Sequence, residues 1–347
     1  MTALQRGFVY AICAALAFGV TTPLIAMVGG GAGPWSTAGW LYLGSALFAA
    51  AADRSPAALV RGGRSNAPLL ALIAIVGGLL APGAYVLGLR DAGPLYAALA
   101  LNMEAPFSVA IAALAFKEHV SVRVVIAMLA IVVGAAILSA GRNAAGAVHA
   151  GVVLVIVATA LWALDNALSS RLRGLDPRIT VFWKSAIGGV LALLAGRGLG
   201  ENAGGMTAVA ALLAIGAIGY GASLLMYLQA QRTFGVARTA SVFATAPFIG
   251  AAGAVLAGEA PGGLPALAAF VAMALGVYLH ATERHAHRHH HHAAQHEHPH
   301  RHDDQHHDHV HETPVSGEHT HSHVHVDIEH SHDHAPDAEH AHTHEHH

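Results

Sequence analysis

Ten stretches of this chain each run for about twenty residues with almost no charge, and that pattern limits the fold more than any other feature. They lie at 7–28, 34–52, 68–90, 94–115, 121–140, 149–170, 178–196, 206–229, 236–257 and 263–281. A bilayer's hydrocarbon core takes about 20 apolar helical residues per crossing. A core helix of a soluble protein would keep a polar face, which these runs lack. The breaks carry Gly, Pro or charge, as at Gly29-Gly30-Gly31, Arg90-Asp91-Ala92-Gly93-Pro94, Lys117-Glu118-His119 and Gly258-Glu259-Ala260-Pro261. Only 11% of the 347 residues are charged, against about 25% in soluble domains. The expected fold is therefore an all-α integral membrane protein of ten transmembrane helices. The first run outlasts the h-region of a signal peptide, about 7–15 residues, so it is expected to remain as a span.

Loop charge predicts the orientation. With the N-terminus inside, the cytoplasmic segments hold 13 Lys/Arg, from Arg6 to Arg288, against Arg90, Arg142 and Arg197 on the other side. Positive loops stay in the cytoplasm, so both termini are expected there, with the chain in the plasma (inner) membrane. From Thr282 onward the composition changes: 3 Lys/Arg face 13 Asp/Glu, and 26 of the 29 His fall within 285–347. The lone Cys13 rules out a disulfide scaffold and a Cys-based metal cluster. No basic domain points to nucleic acid.

The apolar body repeats itself. Shifted by 141 residues, Ala105-Pro106-Phe107 falls on Ala246-Pro247-Phe248, Glu118 on Glu259, and Leu89–Pro94 on Ala230–Gly235. A similar shift sets Gly7–Pro23 on Gly151–Ala167, with Phe18 opposite Trp162. The expected units are 5–141, 149–281 and a tail at 282–347. Five is an odd number of crossings, so the second copy enters the membrane upside down. Inverted repeats are the architecture of alternating-access transporters, whose solute site lies near the midplane between the halves.

These residues resemble the drug/metabolite transporter superfamily, specifically its EamA-type members. The likeness rests on an opening helix of small and aromatic residues (Ala14–Gly19, and Thr159–Leu164), a fourth-helix Pro before a Lys/Glu or Gly/Glu turn (Pro106 to Lys117-Glu118, Pro247 to Gly258-Glu259), and a Gly in each closing helix, Gly134 and Gly276. It implies ten helices, export or exchange of small organic solutes, and frequent proton coupling. Members often carry a basic residue in the second helix of each repeat. Lys184 fills that place in repeat two, but 35–52 holds no charge.

Ionisable groups inside hydrocarbon are functional candidates by default. Glu104 lies about ten residues into the fourth span, beside Asn102 and two residues before Pro106. Pro106 cannot donate to the carbonyl of Asn102, which leaves an acceptor and a bend within reach of Glu104. A carboxyl withdrawn from water there suits a proton or cation coupling site, a ligand for a cationic solute, or a protonated structural link between helices. Asp165 and Lys184 each lie roughly 8 Å inside the cytoplasmic boundary at about 1.5 Å per residue, so they can pair across helices. A packing or gating pair, solute contact and a snorkelling lysine all fit. Pro23, Pro106 and Pro247 break spans where a cavity or a neighbour must take up the freed carbonyls. Thr21 and Thr22 face Asp165 and Asn166 by the repeat offset and could line a cavity walled by Phe18, Tyr85, Trp162 and Tyr227. Glu118 and Glu259 are expected to cap helix ends.

The tail repeats His-X-His, with candidate metal ligands at His296, His298, His300, His302, His319, His321, His323, His325, His330, His332, His334, His340, His342 and His344. Hardly any apolar residue is present, so disorder is expected. Imidazole suits Zn, Ni, Co or Cu, and a change of sign near pH 6.5 would suit a pH sensor equally. Two functions follow. One is a secondary exporter of a small organic solute whose tail binds or senses divalent metal; the other is a divalent transition-metal (Ni/Co/Zn) efflux transporter. No cofactor is required, no enzyme constellation of Ser–His or paired carboxylates is visible, and a homodimer is compatible with the sequence.

Overall fold

The computed structural model describes residues 3–52, 59, 62–63, 66–117, 120–140, 146–172, 175–260, 262–283, 285–291, 295–300, 319–324 and 328–334, the side chains of 146–149, 236–237 and 285 onward aside. The body is helical: α1 Leu4–Gly31, α2 Pro34–Ala51, α3 Ala67–Ala92, α4 Pro94–Ala115, α5 Val122–Ala140, α6 Ala150–Leu172, α7 Pro177–Gly198, α8 Met206–Phe234, α9 Arg238–Leu256 and α10 Gly263–Ala281. Among the described residues, nine of these are long and apolar enough to cross a membrane, and α2 is not one of them. Its 18 residues include Trp35, Ser36, Thr37, Trp40, Tyr42 and Ser45, and Ser36, Thr37 and Ser45 are buried. The Ser185 hydroxyl on α7 meets that of Ser45 at 3.0 Å. The polarity that lowers the hydropathy of α2 is thus turned onto neighbouring helices. The sequence expectation of ten strongly apolar runs is reduced to nine.

Helices pair as α2 with α7, α5 with α10, α3 with α6, α1 with α8, and α4 with α9. Lipid supplies no hydrophobic drive between helices, so close contact rests on small residues. On the α5–α10 seam, a Cβ at Gly134 would stand 2.7 Å from Met273 Cγ, and one at Gly276 would stand 2.5 Å from the Ala127 carbonyl oxygen. Each closing-helix glycine is therefore the socket for the other helix.

Three irregularities recur in both halves. The backbone widens to π-helix at Ala74–Leu80 in α3 and at Gly216–Ala222 in α8, both glycine-containing, a form frequent at functional sites. Gly93 (φ 82°) and Gly235 (φ 94°) each join a third helix of the repeat to the fourth. Only glycine adopts that backbone without penalty. The fourth helices end on Lys117 (φ 56°) and Gly258 (φ 99°), 141 residues apart. The hinges, by contrast, are 142 apart, so Gly93 rather than Pro94 stands opposite Gly235. Repeat one carries the extra residue between its hinge and Pro106, a stretch that includes the 3₁₀ turn Leu101–Met103.

Helix α7 begins on a side-chain cap. Asp176 Oδ1 accepts from the Arg178 N–H at 2.9 Å, and its Oδ2 takes the Arg178 Nη2 at 2.8 Å. Partial burial pushes this carboxyl upward, but the Arg178 hydrogen bonds and charge, with Arg232 beyond, outweigh it and hold it below the usual range. Asp176→Ala is expected to cost about 1 kcal/mol. The contribution is fully present above the unfolded carboxylate value of about 3.9 and fades as pH falls through the lowered folded value. Thermal melts of both proteins should therefore differ at pH 7 and converge as pH falls below the lowered folded value.

From Arg284 the chain forms a second unit. Strand β1, His285–His291, pairs antiparallel with β4, Ile328–His334, and β2, Gln295–His300, with β3, His319–Val324. Composition predicts disorder here, whereas the described segments are extended and laddered. A His-X-His repeat has the period of two that a strand needs, and main-chain pairing asks for no apolar core.

Candidate functional site

The site is built on α6. Asp165 and Asn166 are consecutive, so a helix aims their side chains about 100° apart. Asp165 is turned to α7, where its Oδ2 receives Lys184 Nζ at 2.8 Å; the two side chains are 1% and 13% exposed. Ser169, one turn on, donates to Asp165 Oδ1 at 3.4 Å. The π-segment of α3 lies against this carboxylate, and any Cβ at Gly77 would collide with it. Asn166 is turned to α4, its Nδ2 donating to Glu104 Oε1 at 2.8 Å. Glu104 also feels the charges of Asp165 and Lys184, and Tyr227 and Tyr42 lie within its electrostatic reach.

One turn earlier on α6, Trp162 Nε1 donates to the Tyr42 hydroxyl at 3.2 Å and to the Gly77 carbonyl at 3.3 Å. Tyr42 donates to the same carbonyl at 2.8 Å. That Gly77 oxygen lies within the π-segment, where two side chains of other helices supply its partners. Behind Trp162 stands Tyr85, at 5.5 Å between ring centres, its hydroxyl 2.6 Å from Thr22 Oγ1. Thr21 donates to the Phe18 carbonyl at 2.5 Å.

A run of rings continues from there, half-buried except for the buried Tyr42. Phe18 meets Tyr220 at 5.7 Å and Phe243 at 5.5 Å, Tyr220 meets Tyr42 at 5.6 Å, and Tyr227 meets Phe243 at 4.9 Å. The two halves of α4 are packed differently. Leu95 to Met103 are all buried, whereas the segment Glu104–Ala115 contains no buried residue. Glu104 stands at the change from sealed to open.

The structure thus brings together Glu104, Asn166, Asp165, Lys184 and Trp162. It does not bring Asn102 to Glu104: Asn102 is buried, donating to the Leu99 carbonyl at 2.9 Å and facing Met273 Sδ at 3.9 Å. The hydrogen-bond partner of Glu104 comes instead from 62 residues away. Thr21 and Thr22 are buried, 2% and 1% exposed, and tie α1 together or to Tyr85; they lie behind the rings. The prolines stand in the first turns after helix breaks: Pro23 in Thr21–Val28, Pro106 in Glu104–Ala115, Pro247 in Ala246–Leu256. Proline is tolerated there because the missing N–H had no helical partner.

Several residues escaped the sequence reading. Arg90 Nη2 donates to the carbonyls of Gly29 and Ala32 and, at 3.2 Å, to Thr37 Oγ1. It borders a cleft of about 310 Å³ that Ile25, Thr37, Leu89 and Pro94 also line. Glu201 accepts from the N–H groups of Trp35 (3.3 Å) and Ser36 (2.9 Å), capping α2. Glu259 Oε2 takes the Leu95 N–H at 2.7 Å, so it caps a helix end, the start of α4. Glu118 lies outside the described residues. Charges at loop positions are the signal that could have flagged Arg90 and Glu201.

Among the described residues no group of three or more His, Cys, Asp or Glu is placed to hold a metal. In the tail, the backbone register sets His296 opposite His323, His298 opposite His321 and His300 opposite His319, with His330, His332 and His334 opposite His289, His287 and His285. His302, His325, His340, His342 and His344 lie outside the described residues.

Known proteins bear on this arrangement in three ways. A protein with a known crystal structure superposes with a TM-score of 0.57 at 17% identity, covering 80% of this chain and 95% of its own; that likeness speaks for the fold. An uncharacterized transporter of Methanothermobacter thermautotrophicus is 26% identical over 267 residues, 71% of this chain and 77% of the relative. The EamA-like transporter family model matches twice, over residues 5–140 and 149–282. With nine apolar helices long enough to cross a bilayer and both matches spanning the helical body, this chain is a multi-pass membrane protein that belongs to the EamA-like transporter family.

Proposed function

We propose that the protein is a secondary carrier exporting a small organic solute across the plasma membrane. Two five-helix units of opposite orientation, 5–141 and 149–281, with both termini cytoplasmic, would expose one central site to each side in turn. The observation that carries this reading is reciprocal packing. Gly77, in the π-segment of α3, abuts Asp165 of α6; Gly219, in the π-segment of α8, abuts Thr21 of α1. Those pairs exchange under the 142- and 144-residue shifts that relate the halves. The pairings of α1 with α8 and α3 with α6 exchange in the same way, while α2–α7, α4–α9 and α5–α10 map onto themselves. A pseudo-twofold relation demands such a contact map.

In this reading Glu104 is the coupling carboxyl. The Asp165–Lys184 pair fixes α6 to α7 beside it, α2 is the tenth crossing, and Arg90 latches the far side shut. Among the described residues the body offers no clustered soft or imidazole ligands for a permeating metal ion, which favours an organic solute over Ni, Co or Zn. Metal belongs to the tail, whose His-X-His strands would hold Zn²⁺, Ni²⁺, Co²⁺ or Cu²⁺ loosely for sensing or buffering.

Vesicles reconstituted with the full chain and with a 1–283 truncation test both parts. Saturable, countertransport-stimulated solute flux is expected from each, and stoichiometric Ni²⁺ or Zn²⁺ binding from the full chain alone. No saturable flux of any organic solute would contradict the carrier reading; equal metal binding by the truncation would contradict the tail's role.

A further inference from the structure

Charge bookkeeping at the site narrows the solute. Asp165 and Lys184 neutralise each other at 2.8 Å in nearly complete burial, and Lys184 has no second carboxylate at bonding distance among the described residues. Glu104 is hydrogen-bonded to Asn166, a neutral amide. An ionised Glu104 therefore leaves the group of three with a net charge of one negative unit, carried on the carboxyl that stands where α4 turns from sealed to open. Tyr227 lies within its electrostatic reach and stacks edge-on with Phe243, which touches Phe18, which touches Tyr220. All four rings are half-buried, so each keeps part of its surface free.

Glu104 accepts from Asn166, one turn from Trp162, whose indole reaches Tyr42, which meets Tyr220. A carboxylate with aromatic rings on the helices around it is matched to a cation with an apolar body, because the charge pairs with the acid and rings attract it through their quadrupoles. An anion would meet Glu104 as a like charge. A neutral solute would strip water from the carboxylate and return nothing, which is unfavourable for a desolvated ion.

We propose that the side chains gathered around Glu104 bind a small organic monocation carrying an aromatic or aliphatic body, with Glu104 as its counter-ion and Phe18, Tyr220, Tyr227 and Phe243 as its wall. Transport of that cation rests on the carrier reading given above; its binding does not.

The test uses the full-length protein and four probes of one shape: benzyltrimethylammonium, phenethylammonium, phenethyl alcohol and phenylacetate. Binding is read by calorimetry and by quenching of tryptophan fluorescence. Both cations are expected to bind at least tenfold more tightly than the alcohol or the acid. Glu104→Gln should lose at least tenfold of that affinity, Glu104→Asp should retain most of it, and Phe243→Ala should weaken both cations while leaving phenylacetate unchanged. Melting curves establish that each variant is folded. Cation affinity unchanged in folded Glu104→Gln, phenylacetate binding as tight as the cations, or no Glu104-dependent cation binding at all would each overturn the assignment. The two readings separate cleanly. Glu104-dependent binding with no saturable flux of any organic solute across a vesicle would leave the site standing and sink the carrier; saturable passage of phenylacetate with no Glu104-dependent cation binding would do the reverse.

Discussion

Lys184→Met is expected to destabilise the folded protein by about 3–5 kcal/mol, the range for removing one partner of a buried ion pair. The reason is Asp165, which is 1% exposed and would be left with the Ser169 hydroxyl at 3.4 Å as its remaining side-chain hydrogen bond among the described residues. Asp165→Asn should cost a similar amount, because a buried ammonium is left. The double variant Lys184→Met/Asp165→Asn is expected to recover most of the loss, since no unpaired charge remains. Urea or thermal melts in detergent give the double-mutant cycle. Additive losses in the double variant would show that the two side chains do not depend on each other, contrary to their 2.8 Å contact.

The second large effect concerns coupling. Glu104→Gln is expected to reduce solute flux driven by a proton gradient by at least about tenfold in reconstituted vesicles, a factor that corresponds to roughly 1.4 kcal/mol. Passive exchange should lose its dependence on pH between 5.5 and 8. Among the described residues, the titratable and polar neighbours of this carboxyl are Asp165 and Asn166 from α6, Lys184 from α7, Tyr42 from α2 and Tyr227 from α8. Asp165 and Lys184 are committed to each other, and the tyrosines lie far from their titration range at neutral pH. On the proposed reading, Glu104 is therefore the group through which a proton would act. Wild-type pH dependence in Glu104→Gln would move the coupling site elsewhere.

How much of this was legible in the chain depends on what a linear pattern encodes. Hydropathy over twenty residues reports depth in a bilayer, so the apolar runs, and the common depth of Asp165 and Lys184, could be read directly. Rotation about a helix axis is not encoded in that way. Asn102, two residues from Glu104, was the natural partner by distance along the chain, yet on a helix positions two apart do not face each other. The actual partner, Asn166, comes from another helix.

The stretch 34–52 carries no charge and so reads as an apolar run, whereas Ser36, Thr37 and Ser45 lower its hydropathy and are buried within α2. The π-segments at 74–80 and 216–222 left only a loose glycine signal, since a π-turn differs from an α-turn by a single carbonyl shift that no residue type compels. Arg90 and Glu201 read as loop charges, and only folding brings Thr37 to the first and the Trp35 and Ser36 amides to the second. The one-residue slip at the Gly93 and Gly235 hinges was hidden because offsets of 141 and 142 score alike among small apolar residues; the positive φ angles distinguish them.

Alternation of access around Glu104 is the claim on which the rest depends, and thiol accessibility tests it most directly. In a Cys13→Ser background, Ser108→Cys marks the unburied half of α4 and Thr37→Cys the buried cleft beside Arg90. A membrane-impermeant maleimide should label position 108 and spare position 37 at rest. During solute turnover, labelling at 108 should fall while labelling at 37 rises. If the two positions change in the same direction, or neither responds while solute is moving, the site is not exposed to the two sides in turn and the carrier mechanism is wrong.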